Sequence, residues 1–279
     1  MRQITAHSQQ LETKKNSTGK TRRFHLKTLS LQLLNTHITP HSEMLYLELP
    51  NTSNRLLPFY LAMEEFVARI AMEDDCFFMW QVEPTVIFGR NQNIENEVNI
   101  TYCKEHDIKM FRRKSGGGCV YADMSNIMLS LVTRDANVNL AFNKFIQMVL
   151  LVFQKMGIPA VSSSHNDIMI GDRKVCGTAC YHLADRSIVH STLLYNTTME
   201  HMLHAITPST EKLQSKGIQS VRQRITLLKD HTTMSLEQIK ALFRQTLCQS
   251  SRQLTQDDVS QIEAIEHDYL RQEFIYQYK

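Results

Sequence analysis

"RRKSGGGCVYADMSN", residues 112–126, stands between two apolar runs, "IKMF" at 108–111 and "NIMLSLV" at 126–132. It places three of the chain's nine glycines at one point. Glycine forfeits more conformational entropy on folding than any other residue. A triplet between strands therefore marks either a backbone that something approaches closely or a glycine-rich turn or bulge. As an anion cradle, its successive N–H groups would converge on a phosphate or carboxylate with no Cβ in the way. No Gly-Lys-Ser/Thr follows, which excludes a Walker loop, and a strand rather than a helix comes next, which excludes a dinucleotide fingerprint. Strand alternation sends Arg112 and Arg113 to opposite faces, so one is expected to face a ligand and the other to be solvated.

Working outward, "MLYLELP" (44–50) reads as the first strand and "LPFYLAMEEFVARIAME" (57–73) as a helix with Leu57, Leu61, Phe66 and Ile70 at helical spacing. "TVIFGR" is strand-like, residues 93–107 can form one helix, and "IKMFRR", "CVYA" and "NIMLSLV" are short strands around the glycines. Residues 137–157 form the clearest helix, stopped by Gly157 and Pro159. "DIMIGDRKVCGTACY" (167–181) reads as a hairpin turning at "GDR", and 187–195 as one more strand. The chain then turns helical, with Ser235 and Gln238 in capping-box spacing. Strands in the middle and helices at the end predict an α+β fold: a mixed, largely antiparallel β-sheet flanked by helices. One folded domain is expected over 44–279.

Composition excludes several classes. A hydrophobic share of 42% with 21% charged residues is that of a globular protein, and a net charge of +3 gives no ground for nucleic-acid binding. The longest apolar run, "FIQMVLLVF" at 145–153, is too short to span a bilayer. Six cysteines without a CxxC pair read as reduced thiols of an intracellular protein. Residues 1–42 carry seven basic side chains against Glu12 alone. The commoner reading of such a segment is a disordered extension, leaving the protein cytoplasmic; the sharper one is a transit peptide, which would make it mitochondrial.

A second constellation lies at 165–181. Lys174 begins a strand, where a lysine is ordinarily a solvated edge charge, and Asp167 opens the preceding strand. A carboxylate and an ammonium meeting across one hairpin could hold Mg²⁺ and a phosphate. Ser–His–Asp and paired-carboxylate arrangements find no comparable support. His190 reads as a packed or surface strand residue, and Cys176 and Cys180 as buried thiols.

Taken together, "VIFGRNQN" (86–93), "RRKSGGGCVYADMSN", "NDIMIGDRKVCGTA" (166–179) and "SKGIQSVRQRITLL" (215–228) resemble, in order and spacing, the lipoate–protein ligase family from about residue 44 onward. The resemblance implies the biotin/lipoate ligase-like fold, related to class II synthetase cores. It implies activation of lipoate with ATP to lipoyl-AMP and transfer of the lipoyl group to a lysine. Acceptors would be lipoyl domains of 2-oxoacid dehydrogenase complexes and the glycine-cleavage H protein. It places Lys174 as the catalytic lysine touching acyl carbonyl and phosphate, and Asp167 near Mg²⁺. Arg113, Ser115, Gly116, Gly117, Gly118, Cys119 and Val120 would lie along the acyl-adenylate. Gly177, Thr178 and Ala179 would pack on the nucleotide, with His190 and Thr192 beside them.

The chain departs from the family's "VxHDxGN", having Ala122 and Ser125 where histidine and glycine are usual, and from "HHGT", having Val189-His190-Ser191-Thr192. Its tail resembles the close of the catalytic core, so a separate accessory subunit is expected for adenylation. Two rivals remain. One is an octanoyl or lipoyl transferase with an acyl-protein or acyl-AMP donor; an octanoyltransferase drawing on acyl carrier protein would need Cys176 or Cys180 as a thioester nucleophile. A non-catalytic lipoyl-binding protein would draw support from the altered "ADMS". A biotin ligase lacks support, since "RRKSGGG" stands where "GRGRxG" would be.

Overall fold

A computed structural model describes residues 43–51, 54–70, 74–207 and 224–277. The basic extension 1–42 and most of the "SKGIQSVRQR" segment lie outside them. The first elements are β1 (Met44–Glu48), α1 (Leu57–Arg69), β2 (Asp75–Trp80), β3 (Thr85–Phe88), α2 (Ile94–Glu97) and α3 (Ile100–Glu105). Next come β4 (Lys109–Arg112), β5 (Cys119–Ala122), β6 (Ile127–Thr133), α4 (Val138–Lys155), β7 (Ala160–Ser162) and β8 (Ile168–Ile170). The chain continues through β9 (Arg173–Leu183), β10 (Arg186–Leu193), α5 (Met199–Ala205), a 3₁₀ turn at Leu228–His231, α6 (Leu236–Leu247), β11 (Ser250–Gln253), α7 (Gln256–Leu270) and α8 (Gln272–Tyr276).

The strands form two sheets among the described residues. The larger has the order β11-β1-β2-β6-β10-β9-β8-β7 and is antiparallel from β2 to β7, with parallel pairing at the β1 end. The smaller is β4-β3-β5. The α+β expectation holds, as two sheets rather than one. Alternation along β6 feeds a separate core on each face: Met128 and Val132 on one side, Ile127, Leu129 and Leu131 on the other. The first face carries α1, α7 and the small sheet; the second carries α4 and α6. Because α1 is packed between the sheet and α7, Leu57 through Ala68 are all buried, charged residues included.

Local signals behave as their chemistry requires, with two differences. The Ser235–Gln238 capping box is present, and α4 is capped by the Asn137 side chain and closed at Gly157, whose φ is +72°. The single helix expected over 93–107 is split at Val98, because Asn99 caps a new start by accepting from Tyr102 N at 3.1 Å. The strand "DCFFMW" has no polar alternation to announce it, since all but one of its residues are buried. Among the described residues, no helix is long and apolar enough to cross a membrane.

Candidate active site

The glycine segment joins β4 to β5, which flank β3 on either side, so it must cross the end of β3. The crossing point is Gly89. A Cβ there would lie 2.2 Å from the carbonyl oxygen of Gly117, a contact no side chain can make. Arg90 N donates to Ser115 O at 2.9 Å and fixes the crossing. Gly117 turns the chain with φ +94°, a conformation that favours glycine. Around Gly116, by contrast, a Cβ would meet nothing within 4 Å, so that stretch of backbone faces open space. Cys119 and Val120 follow as half-buried residues at the start of β5.

Neither arginine of the pair is solvated, which corrects the expectation of one exposed and one ligand-facing cation. Arg112 is 1% exposed. Its guanidinium donates to the carbonyls of Gly89, Arg90, Gln92, Phe274 and Ile275 at 2.8–3.1 Å, tying the small sheet to α8. Arg113 folds back on its own loop, donating to Gly116 O (2.7 Å), Gly118 O (2.9 Å), Ile87 O (3.1 Å) and Ser115 Oγ (3.0 Å). Burial pulls this guanidinium down to about 10, so it stays charged at neutral pH. Carbonyl partners explain both: five fixed donors let a buried arginine organise backbone that has no donors to spare.

Lys174 and Asp167 meet as the hairpin suggested, with Nζ 2.8 Å from Oδ1. What aims the lysine is a β-bulge. Met169 pairs with Lys174 but Ile168 pairs with Cys176, so Val175 is an extra residue in β9. Val175 and Cys176 consequently both enter the second core, and Lys174 comes onto the same face as Gly177. The two touch: a Cβ on Gly177 would stand 2.6 Å from Lys174 Nζ. Asp167 is held by Ser163, whose Oγ accepts from its amide at 3.2 Å, and by Asn166 in a left-handed conformation with φ +61°. Its second oxygen accepts from Arg224 at 3.0 Å. Arg224 lies in the "SKGIQSVRQR" stretch, which sequence reasoning used for the resemblance without assigning this residue a role.

A buried hydrogen-bond chain links the glycine loop to the large sheet. Ser115 Oγ lies 2.7 Å from His190 Nε2, and His190 Nδ1 lies 2.8 Å from Glu64 Oε2. Glu64 also accepts from Ser130 Oγ (2.6 Å), which accepts from Trp80 Nε1 (2.8 Å). A serine–histidine–carboxylate arrangement is therefore present after all, though Ser115 is wholly buried. The neighbouring Glu65 takes Lys114, Arg69 and the Tyr269 hydroxyl. Burial raises its carboxyl, but these donors and the Lys114 charge more than reverse that and hold it below the usual range. Neither glutamate was singled out from sequence.

Strand pairing brings both constellations onto one face. His190 stands opposite Ala179, and Thr192 opposite Gly177, two positions further toward Lys174. Thr178 alternates to the other face, where Oγ1 donates to Asn166 O at 2.5 Å, so it does not join Gly177 and Ala179. In the altered turn, Asp123 accepts from Ser125 N and Oγ, Thr197 Oγ1 and Thr198 N, and Ser125 Oγ also reaches Asn196 O at 2.7 Å. Serine at the usual glycine position thus closes the turn with its own bonds. Cys176 is fully buried, and burial pushes its thiol to about 12 and that of Cys180 to about 11. Neither is poised as a nucleophile. Among the described residues, no group of three or more His, Cys, Asp or Glu could hold a metal ion. Asp167 is a single carboxylate whose two oxygens are taken by Lys174 and Arg224, so it could give a metal ion one ligand only by releasing one of them.

Comparison with known proteins now bears on this geometry. The chain is 33% identical over 219 residues to lipoate–protein ligase 1 of Staphylococcus aureus, covering 76% of this chain and 67% of that one. It spans between half and two thirds of the length of the curated relatives it matches. Among solved structures it resembles a chain of the bi-partite lipoate protein ligase of Thermoplasma acidophilum, with a TM-score of 0.73 and 23% identity. That match covers 85% of this chain and 97% of the other. It also resembles lipoate-protein ligase A bound with ATP, with a TM-score of 0.67 and 22% identity over 84% of this chain and 98% of that chain. The lipoyl protein ligase A/B catalytic domain matches residues 58–248, a span that holds the glycine loop, its glutamate anchors and the Lys174 hairpin, and the chain belongs to that family.

Proposed function

We propose that this chain performs the lipoate–protein ligase reaction. A lipoate carboxylate oxygen attacks the α-phosphorus of ATP, the bond to the α–β bridging oxygen breaks, and pyrophosphate leaves lipoyl-AMP behind. The amine of an acceptor lysine, its proton given up to solvent, then attacks the carbonyl carbon; a C–N bond forms and the C–O bond to AMP breaks. Both steps build negative charge on oxygens, so the main task is to place fixed positive charge and N–H dipoles beside them. The observation that carries this reading is Lys174, suspended over side-chain-free Gly177 on the face where the glycine loop docks. Its side chain is 22% exposed; to reach phosphate and acyl oxygens it would leave Asp167, whose charge Arg224 still balances. Gly116 offers bare backbone toward the acyl-adenylate. Asp167 would hold a nucleotide-borne Mg²⁺, which neutralises phosphate charge when bound.

Lipoyl domains are the acceptors under this reading, and the bi-partite architecture of the Thermoplasma ligase favours a separate accessory subunit in adenylation. Mass spectrometry of a lipoyl-domain acceptor tests it, with lipoate, ATP and Mg²⁺ in one arm and synthetic lipoyl-AMP in the other. Labelling in both arms means a self-sufficient ligase, and labelling from lipoyl-AMP alone means a transferase core awaiting its partner. No labelling in either arm overturns the proposal in favour of a binding protein.

A further inference from the structure

Three adjacent glycines make a poor scaffold unless something else holds them, and the two residues before them are each held by one of two consecutive glutamates in α1. Glu64 and Glu65 are 0% and 1% exposed. On a helix neighbours point about 100° apart. Glu64 therefore reaches the sheet through His190, while Glu65 reaches Lys114 and Tyr269 beside α7.

Proton directions next to Glu64 are set by what each partner can do. Arg113 Nε and Trp80 Nε1 can only donate. Ser115 Oγ accepts from Arg113 and is bonded to His190 Nε2, in a direction that follows the imidazole's protonation; toward a carboxylate, which can only accept, His190 Nδ1–H donates to Glu64 Oε2. From the other end, Ser130 accepts from Trp80 and donates to Glu64 Oε1. The carboxylate is where both runs terminate, so an isosteric amide in its place would either bring N–H against His190 Nδ1–H or force the imidazole into its other tautomer and change its bond to Ser115.

We propose that Glu64 and His190 are positioning residues for the reaction. Through Ser115 they hold the glycine loop in the one arrangement in which its backbone meets the acyl-adenylate. The role in turnover rests on the ligase reading; the grip on the loop does not.

The test is Glu64→Gln, alongside Ser115→Ala, His190→Gln and the Glu64→Gln/Ser115→Ala double variant. Hydrogen exchange of the peptide spanning the loop is read with the unfolding midpoint and with acceptor labelling. Expected is faster exchange at Gly116–Gly118 that exceeds any rise in peptides elsewhere in the fold, with the midpoint lowered only modestly. Labelling kcat should fall on the order of tenfold to a hundredfold, with KM for ATP within about twofold. The double variant should be no worse than Ser115→Ala, because both cut the same chain. Unchanged loop exchange in Glu64→Gln, or additive losses in the double, overturns the proposal. If Glu64→Gln fails to fold, exchange in His190→Gln that quickens at the loop beyond peptides elsewhere sustains it, and loop exchange that does not exceed theirs refutes it. If the wild type labels nothing, the ligase reading falls while the exchange data still decide whether the loop is gripped.

Discussion

Gly177 leaves the space that Lys174 occupies: a Cβ on the former would lie 2.6 Å from Nζ and 2.7 Å from Cε of the latter. Gly177→Ala should accordingly displace the ammonium and spare the fold. Acceptor labelling is expected to fall about tenfold or more, because catalytic groups tolerate little misplacement. The melting temperature, read on the same samples, should stay within about 2 °C.

Lys174→Ala removes the charge itself. Labelling should drop by about a hundredfold or more in both the ATP and the lipoyl-AMP arms, the scale seen when a preorganised stabiliser of oxygen charge is lost. Asp167 keeps Arg224 at 3.0 Å, so folding should survive, as circular dichroism and urea unfolding would show.

Gly89→Ala acts on the other wall. The added methyl meets the backbone oxygen of Gly117 at 2.2 Å, which no rotamer relieves. A cost of about 1–3 kcal/mol in unfolding free energy is expected, with loss of labelling at temperatures where the variant remains folded.

Arg112→Lys probes the C-terminal attachment. One ammonium cannot serve five carbonyls spread over two segments, so several are left bare in a buried place. Destabilisation of about 2 kcal/mol or more should follow, with limited proteolysis opening first near Phe274 and Ile275.

Two buried thiols, Cys76 and Cys176, and the half-buried Cys248 give the protein an alkaline weakness. Burial raises Cys76, Cys176 and Cys248 from 9.0 to about 12, so the folded chain keeps protons that the unfolded chain releases near 9. Their stabilising contribution is complete below that pH and is lost as pH climbs toward 12. Urea midpoints should fall across that window. Cys176→Ser should retain acceptor labelling, and native alkylation of Cys176 should be negligible at neutral pH.

What was legible from sequence was local. Glycine runs, the "GDR" turn and the spacing of Lys174 to Gly177 are carried by neighbouring residues, so the two walls of the site could be named. Glu64 could not. It lies 126 positions from His190, inside a helix whose apolar spacing says which face is greasy and nothing about what its glutamates meet. Arg112 was misjudged for a related reason. Alternation correctly opposes it to Arg113, yet whether the second face is wet depends on α8 carbonyls more than 160 positions onward. Arg224 needed the fold to bring it to Asp167, 57 positions earlier.

The extra residue at Val175 gives the site an unusual kind of dependence. In β-structure a shift by one exchanges the two faces, so one residue inserted between Ile168 and Met169 would give Val175 a partner, abolish the bulge, rotate Lys174 to the apolar face that Cys176 occupies and put Val175 on the surface that meets the glycine loop. No residue carrying charge would have been altered, and the composition of the hairpin would be almost the same. The chemistry of this strand is thus encoded as odd against even, a property of counting that no substitution scan would expose and a single in-frame codon insertion in β8 would.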